Sequence, residues 1–478
     1  MMPGLTTPLR PTLNSASGND SPALPQPVLT TTSARIVPRD QHPISRSQIS
    51  DSALKVLYRL ISAGHQAFLV GGGIRDLLVG LEPKDFDIAT DALPEEVRAL
   101  FRNARLIGRR FRLAHVRFGR EIIEVATFRG MAADDAPAIE REDLPSRRRS
   151  TGDNEPAAAL SGSGMILRDN VYGTVEDDAA RRDFTINALY YTPADFCLYD
   201  FAGGLDDIEH RRIRLIGDPL QRYREDPVRI LRALRFAAKL DFQLDEATAA
   251  AIPDTAELLL DVPPARLFDE VVKLLLHGRG EATFDLLCRF GILELLFPAT
   301  AAAISRDPAQ DTFIRTALAN TDRRISEDLP VTPGFLYAAL LWPTVVAEQI
   351  TLEEAGDSPR DALVQAGGDA IARQQAHTSV PRRFSTWMRE TWELQPRLES
   401  PTPRQVERLM SHPRFRAAYD FLVVRERAGH GTGGMGDWWT RFQAADEDAR
   451  QAMLGALRPG TGRSSGRKRR RRRKPAAS

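Results

Sequence analysis

The sequence predicts an α+β protein: a small head built on a mixed sheet, followed by an all-helical neck and body and a basic appendage. Three observations carry this reading. Strand signals, short runs rich in β-branched and aromatic residues, are concentrated between residues 67 and 200. From about residue 205 they fade, and apolar residues recur at helical spacing with Pro near segment starts or Gly near their ends. Both ends of the chain lack the apolar content needed to bury a core. The boundaries that follow are a disordered segment over 1–46, a head over 47–204 with a mobile insertion at 131–164, a helical neck and binding region over 205–300, a helical body over 301–455, and a disordered arginine-rich tail over 456–478.

In order along the head, "SQISDSALKVLYRLISAG" (47–64) predicts a helix with Leu54, Leu57, Tyr58 and Ile61 on one stripe and Gly64 as its stop. "AFLV" (67–70) predicts a strand, the glycines at 71–73 a turn, and Ile74 to Val79 a helix. "DFDIAT" (85–90) reads as a strand, and "LPEEVRALF" (93–101) as a helix with Pro94 near its start. "FRLAHVRFGREIIEVATF" (111–128) reads as a hairpin turning at Gly119-Arg120. Beyond it, the polar, small-residue-rich stretch at 131–164 reads as an insertion. The segments at 226–240, 263–278 and 281–296 predict helices, as does most of 310–455.

The chain has 478 residues and a formal net charge of +1, but the charges are uneven. "RKRRRRRK" (467–474) holds eight basic residues; without them the net charge is −7. A mildly acidic body with such a tail points to nucleic acid as a partner. Two cysteines, Cys197 and Cys288, are too few and too far apart for a metal knuckle or a disulfide scaffold, which predicts a reducing, cytoplasmic setting. No run approaches 18 apolar residues, so no membrane insertion is expected. The N-terminus lacks the apolar core of a secretory signal; its Ser, Thr and Pro content fits an organelle transit peptide or, the reading preferred, plain disorder.

Asp85 and Asp87 stand two apart on the predicted strand, so both side chains face one side. Paired carboxylates repel, and hard oxygen ligands at this spacing suit Mg²⁺, which takes the rest of its shell from water and substrate phosphates. A lone Asp-x-Asp is ordinarily a turn or a solvated strand end, but its neighbours add weight. Gly71, Gly72 and Gly73 let the backbone approach a ligand at a helix start, where anions are favoured. Arg75 adds charge against a triphosphate, and Glu124, otherwise an exposed strand glutamate, is positioned to be a third carboxylate.

Two further clusters follow. In "DAARRDFTINALYY" (178–191), Arg181, Arg182 and Asp183 precede an apolar run; they read as a helix start with Asp183 as N-cap, or as a ribose or phosphate clamp. Asn187 follows Asp183 by one helical turn, on the same side. In "RYREDPVRILRALRF" (222–236), Asp226 before Pro227 reads as a helix N-cap. Asp226 and Arg229 also lie three apart on one helical face. An acceptor beside a donor suits the amino group and ring nitrogen of adenine or cytosine and rejects guanine and uracil, without separating A from C.

The glycine loop with Asp85-Phe86-Asp87, Arg-Arg-Asp-Phe-Thr at 181–185 and Glu-Asp-Pro-Val-Arg at 225–229 resembles, in order and spacing across residues 66–300, the class II nucleotidyltransferases. That group contains bacterial poly(A) polymerases and the CCA-adding enzymes of tRNA. "LIGRRFRLAHVRFGREIIEVATFRG" (106–130), "HPRFRAAYDFLVVR" (412–425) and the arginine-rich end look like the polymerase version. The resemblance implies template-independent addition of AMP from ATP to RNA 3′ ends, promoting RNA turnover. It implies two Mg²⁺ ions, with Mn²⁺ as a substitute, on the catalytic residues Asp85 and Asp87, with Glu124 as a third catalytic acid. Gly71, Gly72 and Arg75 would hold the triphosphate, Arg182, Asp183 and Asn187 the ribose side, and Asp226 with Arg229 the base. Arg109, Arg110 and Arg112 would face RNA, as would Arg469, Arg470, Arg471, Arg472 and Arg473 in the tail. RNA-degradation or RNA-chaperone proteins are candidate partners. The competing readings are a tRNA CCA-adding enzyme, which shares the site chemistry, and a non-catalytic RNA-binding adaptor, against which the intact Asp85–Asp87 pair argues.

Overall fold

The computed structural model describes residues 34–108, 112–130, 158–160, 166–169 and 171–457. The chain divides into two compact units. The first takes residues up to Asp134 together with Arg168–Arg182 and Asn187–Leu205; the second takes the remainder, including Asp183–Ile186 and everything from Asp206 onward.

The first unit is built on strands β1 (Arg35–Val37), β2 (Ala67–Val70), β3 (Asp87–Thr90), β4 (Ala104–Ile107), β5 (Leu113–Phe118) and β6 (Glu121–Thr127). After two short strands, β7 (Ala158–Leu160) and β8 (Ile166–Asp169), come β9 (Leu189–Tyr191) and β10 (Leu198–Asp200). Among the described residues eight of these form one sheet in the order β1-β10-β9-β2-β3-β6-β5-β4. Neighbours are antiparallel except β3 and β6, which run parallel, so the sheet is mixed, as expected. Parallel strands need a crossover, and α3 (Pro94–Leu100) with β4 and β5 lies in the connection between β3 and β6.

Helix α1 (Asp51–Ser62) opens at Ser50, whose hydroxyl accepts from the Ala53 amide at 3.1 Å, and the chain leaves it through Gly64 at φ +90°. Its buried face is Ala53, Val56, Leu57, Leu60 and Ile61. Leu57 and Ile61 were expected there; Leu54 and Tyr58 sit at its margin, because Ala53 and Val56 fill the face closer to the sheet. Helix α2 spans Gly72–Leu78, starting two residues before the expected Ile74, since glycines 72 and 73 already adopt helical backbone. On the sheet, Phe68, Val70, Ala89, Phe128, Tyr190 and Tyr199 form a core cluster with Val175 and Ala179 of α4 (Val175–Arg181).

Residues 34–46 correct the N-terminal boundary. β1 pairs antiparallel with β10, and Ile44 is fully buried. A three-residue strand is given its partner by chain more than 150 residues away, which local composition cannot reveal. The rest of the N-terminal segment, the insertion apart from Ala158–Leu160, and the tail from residue 458 lie outside the described residues, as do the expectations made for them.

From Asp206 onward, among the described residues, the second unit is helical apart from a two-stranded parallel pair, Arg212–Ile213 with Gln243–Leu244. The helices expected at 226–240 and 263–278 appear as Val228–Leu240 and Pro264–Leu275; that expected at 281–296 is broken at Gly291 into Gly280–Arg289 and Ile292–Leu296. Gly291 has φ +67°, a left-handed turn that an α-helix cannot continue through. Pro333–Glu354 is long and apolar enough, by length and composition, to cross a membrane. It is a core helix instead: Leu336 through Trp342 are all buried, and the Trp392 indole donates to the Ala338 carbonyl at 3.2 Å.

Candidate active site

In the first unit the sheet register gathers the predicted acidic residues. Asp87 opens β3 opposite Val70, the last residue of β2, and opposite Glu124 on β6. The chain leaving β2 turns at once through Gly71, whose φ of +72° only glycine adopts freely. A Cβ on Gly73 would meet the Asp85 carbonyl oxygen at 3.3 Å and the Phe86 ring at 3.4 Å, so the turn rests on the Asp85–Phe86 backbone. Asp85 is exposed, Phe86 buried and Asp87 half-buried. Phe86 thus anchors the segment while the carboxylates lie to either side of it in sequence. β3 begins at Asp87, so Asp85 precedes the strand rather than sitting on it, a correction to the expected span.

The electrostatics agree with the geometry. The Asp87 carboxyl is pushed up to about 6, first by burial, then by the negative charges of Glu124 and Asp85, with Arg182 opposing. Three carboxylates therefore act on one spot, and a divalent cation is the natural means of relieving their repulsion. Glu124 is half-exposed and meets the His115 ring Nε2 at 3.0 Å from the neighbouring strand. Among the described residues no group of three or more His, Cys, Asp and Glu is drawn together at metal-binding distances. The donor set fits Mg²⁺ as a pair of aspartates completed by substrate oxygens, not as a closed protein cage.

The cations around the glycine turn are arranged differently from expectation. Arg75 is only 3% exposed; its guanidinium donates to Asp76 Oδ1 at 2.6 and 2.9 Å and to Asn187 Oδ1 at 2.8 Å. It braces the turn from within rather than standing open toward a phosphate. Arg182 lies nearer the turn surface: a Cβ on Gly71 would come within 3.4 Å of its Nη1. Its Nε donates to the Tyr190 hydroxyl at 2.7 Å, its Nη2 to Asp178 at 3.0 Å, and the Tyr190 hydroxyl in turn donates to Asp178 at 2.6 Å. Burial alone would lower the Arg182 guanidinium, but Tyr190 and Asp178 outweigh it and hold it above its ordinary value. Asp178 and Tyr190 were not singled out in the sequence. The i, i+4 spacing of Asp178 and Arg182 was the available signal, on a helix over Val175–Arg181 that the sequence reading did not mark.

The Arg-Arg-Asp segment also departs from its expected form. α4 ends at Arg181, and Thr185–Asn187 is a single 3₁₀ turn, so Asp183 and Asn187 are not neighbours on a helix. The Asp183 side chain is taken by its own neighbour's amide, Phe184, at 2.9 Å and by Arg232 at 2.7 Å. In the second unit Asp226 closes helix Pro219–Glu225 instead of capping the next; Pro227 precedes Val228 with no side-chain cap. Asp226 Oδ2 accepts from Arg266 at 2.7 Å, whereas Arg229 donates to Glu225 at 2.8 Å and to the Arg222 carbonyl at 2.7 Å. The two share a backbone hydrogen bond, Arg229 amide to Asp226 carbonyl at 3.0 Å, but their side chains take separate partners. Arg112 pairs with Glu95 at 2.9 Å on the surface, and Arg109, Arg110 and Arg469 to Arg473 lie outside the described residues.

Comparison with known proteins shows the family. A family model described as the poly A polymerase head domain matches residues 67–214, one described as a probable RNA- and SrmB-binding site of polymerase A matches 241–304, and one described as the polymerase A arginine-rich C-terminus matches 355–475. Poly(A) polymerase I of Salmonella typhi is 46% identical over 427 residues, 88% of each chain. That of Haemophilus influenzae is 44% identical over 424 residues, 88% of this chain and 90% of its own. A CCA-adding enzyme of Lactococcus lactis reaches 35% over only 51% of this chain and 55% of its own. In fold, the Thermotoga maritima CCA-adding enzyme complexed with tRNA is similar with a TM-score of 0.53 and 19% identity, covering 86% of each chain. Matched in sequence along most of its length by bacterial poly(A) polymerase I, and over only about half of it by the CCA-adding enzymes, the chain belongs to the poly(A) polymerase family of nucleotidyltransferases.

Proposed function

We propose that this chain adds AMP from ATP to RNA 3′ ends without a template, and that the Asp85–Asp87 segment beside the glycine turn is where it does so. The observation that carries the residue assignment is the sheet register, which sets Asp87 opposite Glu124 on one side and opposite Val70 with its glycine turn on the other, the Asp87 carboxyl being pushed up to about 6 first by burial and then by Glu124 and Asp85. Asp85 and Asp87 would hold two Mg²⁺ ions, or Mn²⁺, with Glu124 as the third acid. Bound there, such ions polarise the α-phosphate and lower the pKa of an RNA hydroxyl.

The chain's own residues do the positioning. Gly71 and Gly72 would present bare backbone to a triphosphate at the turn, and Arg182, preset by Asp178 and Tyr190, adds positive charge beside it. Arg75 holds the turn to Asn187. Asp183 serves the ribose, and Asp226 with Arg229 serves the base once substrate exchanges with their present partners. In the reaction the RNA 3′-oxygen forms a bond to the α-phosphorus, the bond from that phosphorus to the β-phosphate bridge breaks, and pyrophosphate leaves. Such catalysis is mostly placement and charge neutralisation. A cytoplasmic setting and RNA-turnover proteins as partners complete the reading.

Primer extension with each nucleoside triphosphate supplied singly is the test. Long products from ATP alone support polyadenylation. Ordered addition of C, C and A, or no extension with any nucleotide, would overturn it.

A further inference from the structure

The helical unit contains two neighbouring concavities that share the side chain of Asn320. The first, about 270 Å³, has an aromatic and proline wall (Phe335, Trp387, Pro330, Pro413) and two arginines, Arg324 and Arg416. The Trp387 and Phe335 rings meet edge to face at 6.4 Å. Gly334 makes room for the indole: a Cβ there would lie 3.1 Å from Trp387 Cε3, so the ring's plane is fixed by backbone. Asp420 also lines the cavity; its carboxylate accepts from Arg416 at 3.1 Å, and burial raises its pKa. The second, about 430 Å³, is lined by Arg315, Arg323 and Arg427 beside Glu281. Arg315 is paired with both Asp311 and Asp285 and Arg323 with Glu327, yet part of each arginine side chain stays exposed.

We infer that this pair is a single-strand RNA subsite, in which one base stacks in the Trp387–Phe335 cavity and the adjoining phosphates follow the arginines across Asn320. The inference rests on RNA being the substrate. An aromatic platform next to a basic groove is the recurring design for sequence-tolerant binding of single strands, because every base has a stacking face. A cavity this size takes one base, not a duplex. Charge argues for the occupant: five arginines against two carboxylates, Asp420 and Glu281, line the two concavities, an excess that favours a polyanion over the basic segment at 467–474. No residue of this subsite belongs to the acidic site of the other unit.

The test measures RNA binding without turnover, by anisotropy of a labelled oligo(A) 15-mer with a 3′-deoxy end, and separately measures AMP addition at saturating RNA. Trp387→Ala weakens binding about tenfold, the middle of the stacking range, while the rate at saturating RNA stays native; Trp387→Phe keeps most of the affinity. Affinity of a normally melting Trp387→Ala chain within about twofold of native overturns the subsite. If that variant melts early, photo-crosslinking of the native chain to an oligo(A) containing 8-azidoadenine decides. Adducts on peptides holding Phe335 or Trp387 support it, and adducts only elsewhere overturn it. A native chain that binds the oligomer but never extends a primer would instead strike at the proposed activity.

Discussion

The acidic end of β3 and the charged start of helix Val228–Leu240 each carry a pair of candidate side chains a few residues apart. The structure treats them differently. At β3, ladder pairing sets Val70 and its glycine turn on one side of Asp87 and Glu124 on the other, so the carboxylates act on one another. At 226–229 the guanidinium and carboxylate turn to different partners, Glu225 and Arg266. Backbone pairing in a sheet places side chains from distant segments by register, whereas charges at helix ends are claimed by whichever local ion lies within reach. The acidic residues of the head are placed by topology; Asp226 and Arg229 are held by separate ion pairs.

The largest effect that would break this comparison is on catalysis. Asp85→Ala or Asp87→Ala lowers AMP incorporation by at least about a thousandfold, as expected for losing several kcal/mol of charge stabilisation, with RNA affinity retained. Loss of less than about tenfold in both would put the chemistry elsewhere. Next is stability. Because the folded Asp87 carboxyl titrates near 6 instead of 3.8, the fold binds its proton more tightly than the unfolded chain does. Its contribution is therefore full below about pH 4 and is lost as pH rises through 6. Asp87→Asn should stabilise the fold by about 2 kcal/mol at pH 8, allowing for partial exposure, and by little at pH 4. Thermal melts at both pH values check this; a destabilised variant at pH 8 would show that the carboxylates are not in conflict.

Smaller again is Tyr190→Phe, which removes the hydroxyl joining Arg182 to Asp178 and costs about 1–2 kcal/mol, with a raised KM for ATP and little change in kcat. The smallest expected effect sharpens the comparison most. Arg229→Ala should alter the ratio of ATP to CTP use by about tenfold or less while melting only slightly early, whereas Arg222→Ala, which shares the Glu225 partner, should leave the ratio alone. Equal changes in both ratios would make Arg229 a structural ion-pair residue only.

Much of the head was legible because strand alternation and glycine turns act locally. "AFLV", the hairpin around Gly119-Arg120 and the Asp85–Asp87 spacing all follow from neighbours in the chain. What was not legible depends on distant partners. β1 needs β10, Asp183 needs Arg232 forty-nine residues on, and Asp226 needs Arg266 forty residues on. The 3₁₀ turn at Thr185–Asn187 was read as helix because i, i+4 spacing is all that sequence offers; the pairing of Phe184 with Leu215 pulls that segment out of the helix instead. Arg75 was read as a ligand-facing cation because its burial against Asp76 and Asn187 has no sequence signature.

The central claim, that the Asp85–Asp87 pair collects divalent ions next to the glycine turn, is tested most directly by titrating Mn²⁺ into the full chain with a non-hydrolysable ATP analogue and following bound ion by electron paramagnetic resonance. The native chain should bind Mn²⁺ beyond that held by the nucleotide alone, and the Asp85→Asn, Asp87→Asn double variant, with a normal melting profile, should lose it. Identical Mn²⁺ isotherms for the two proteins would contradict it.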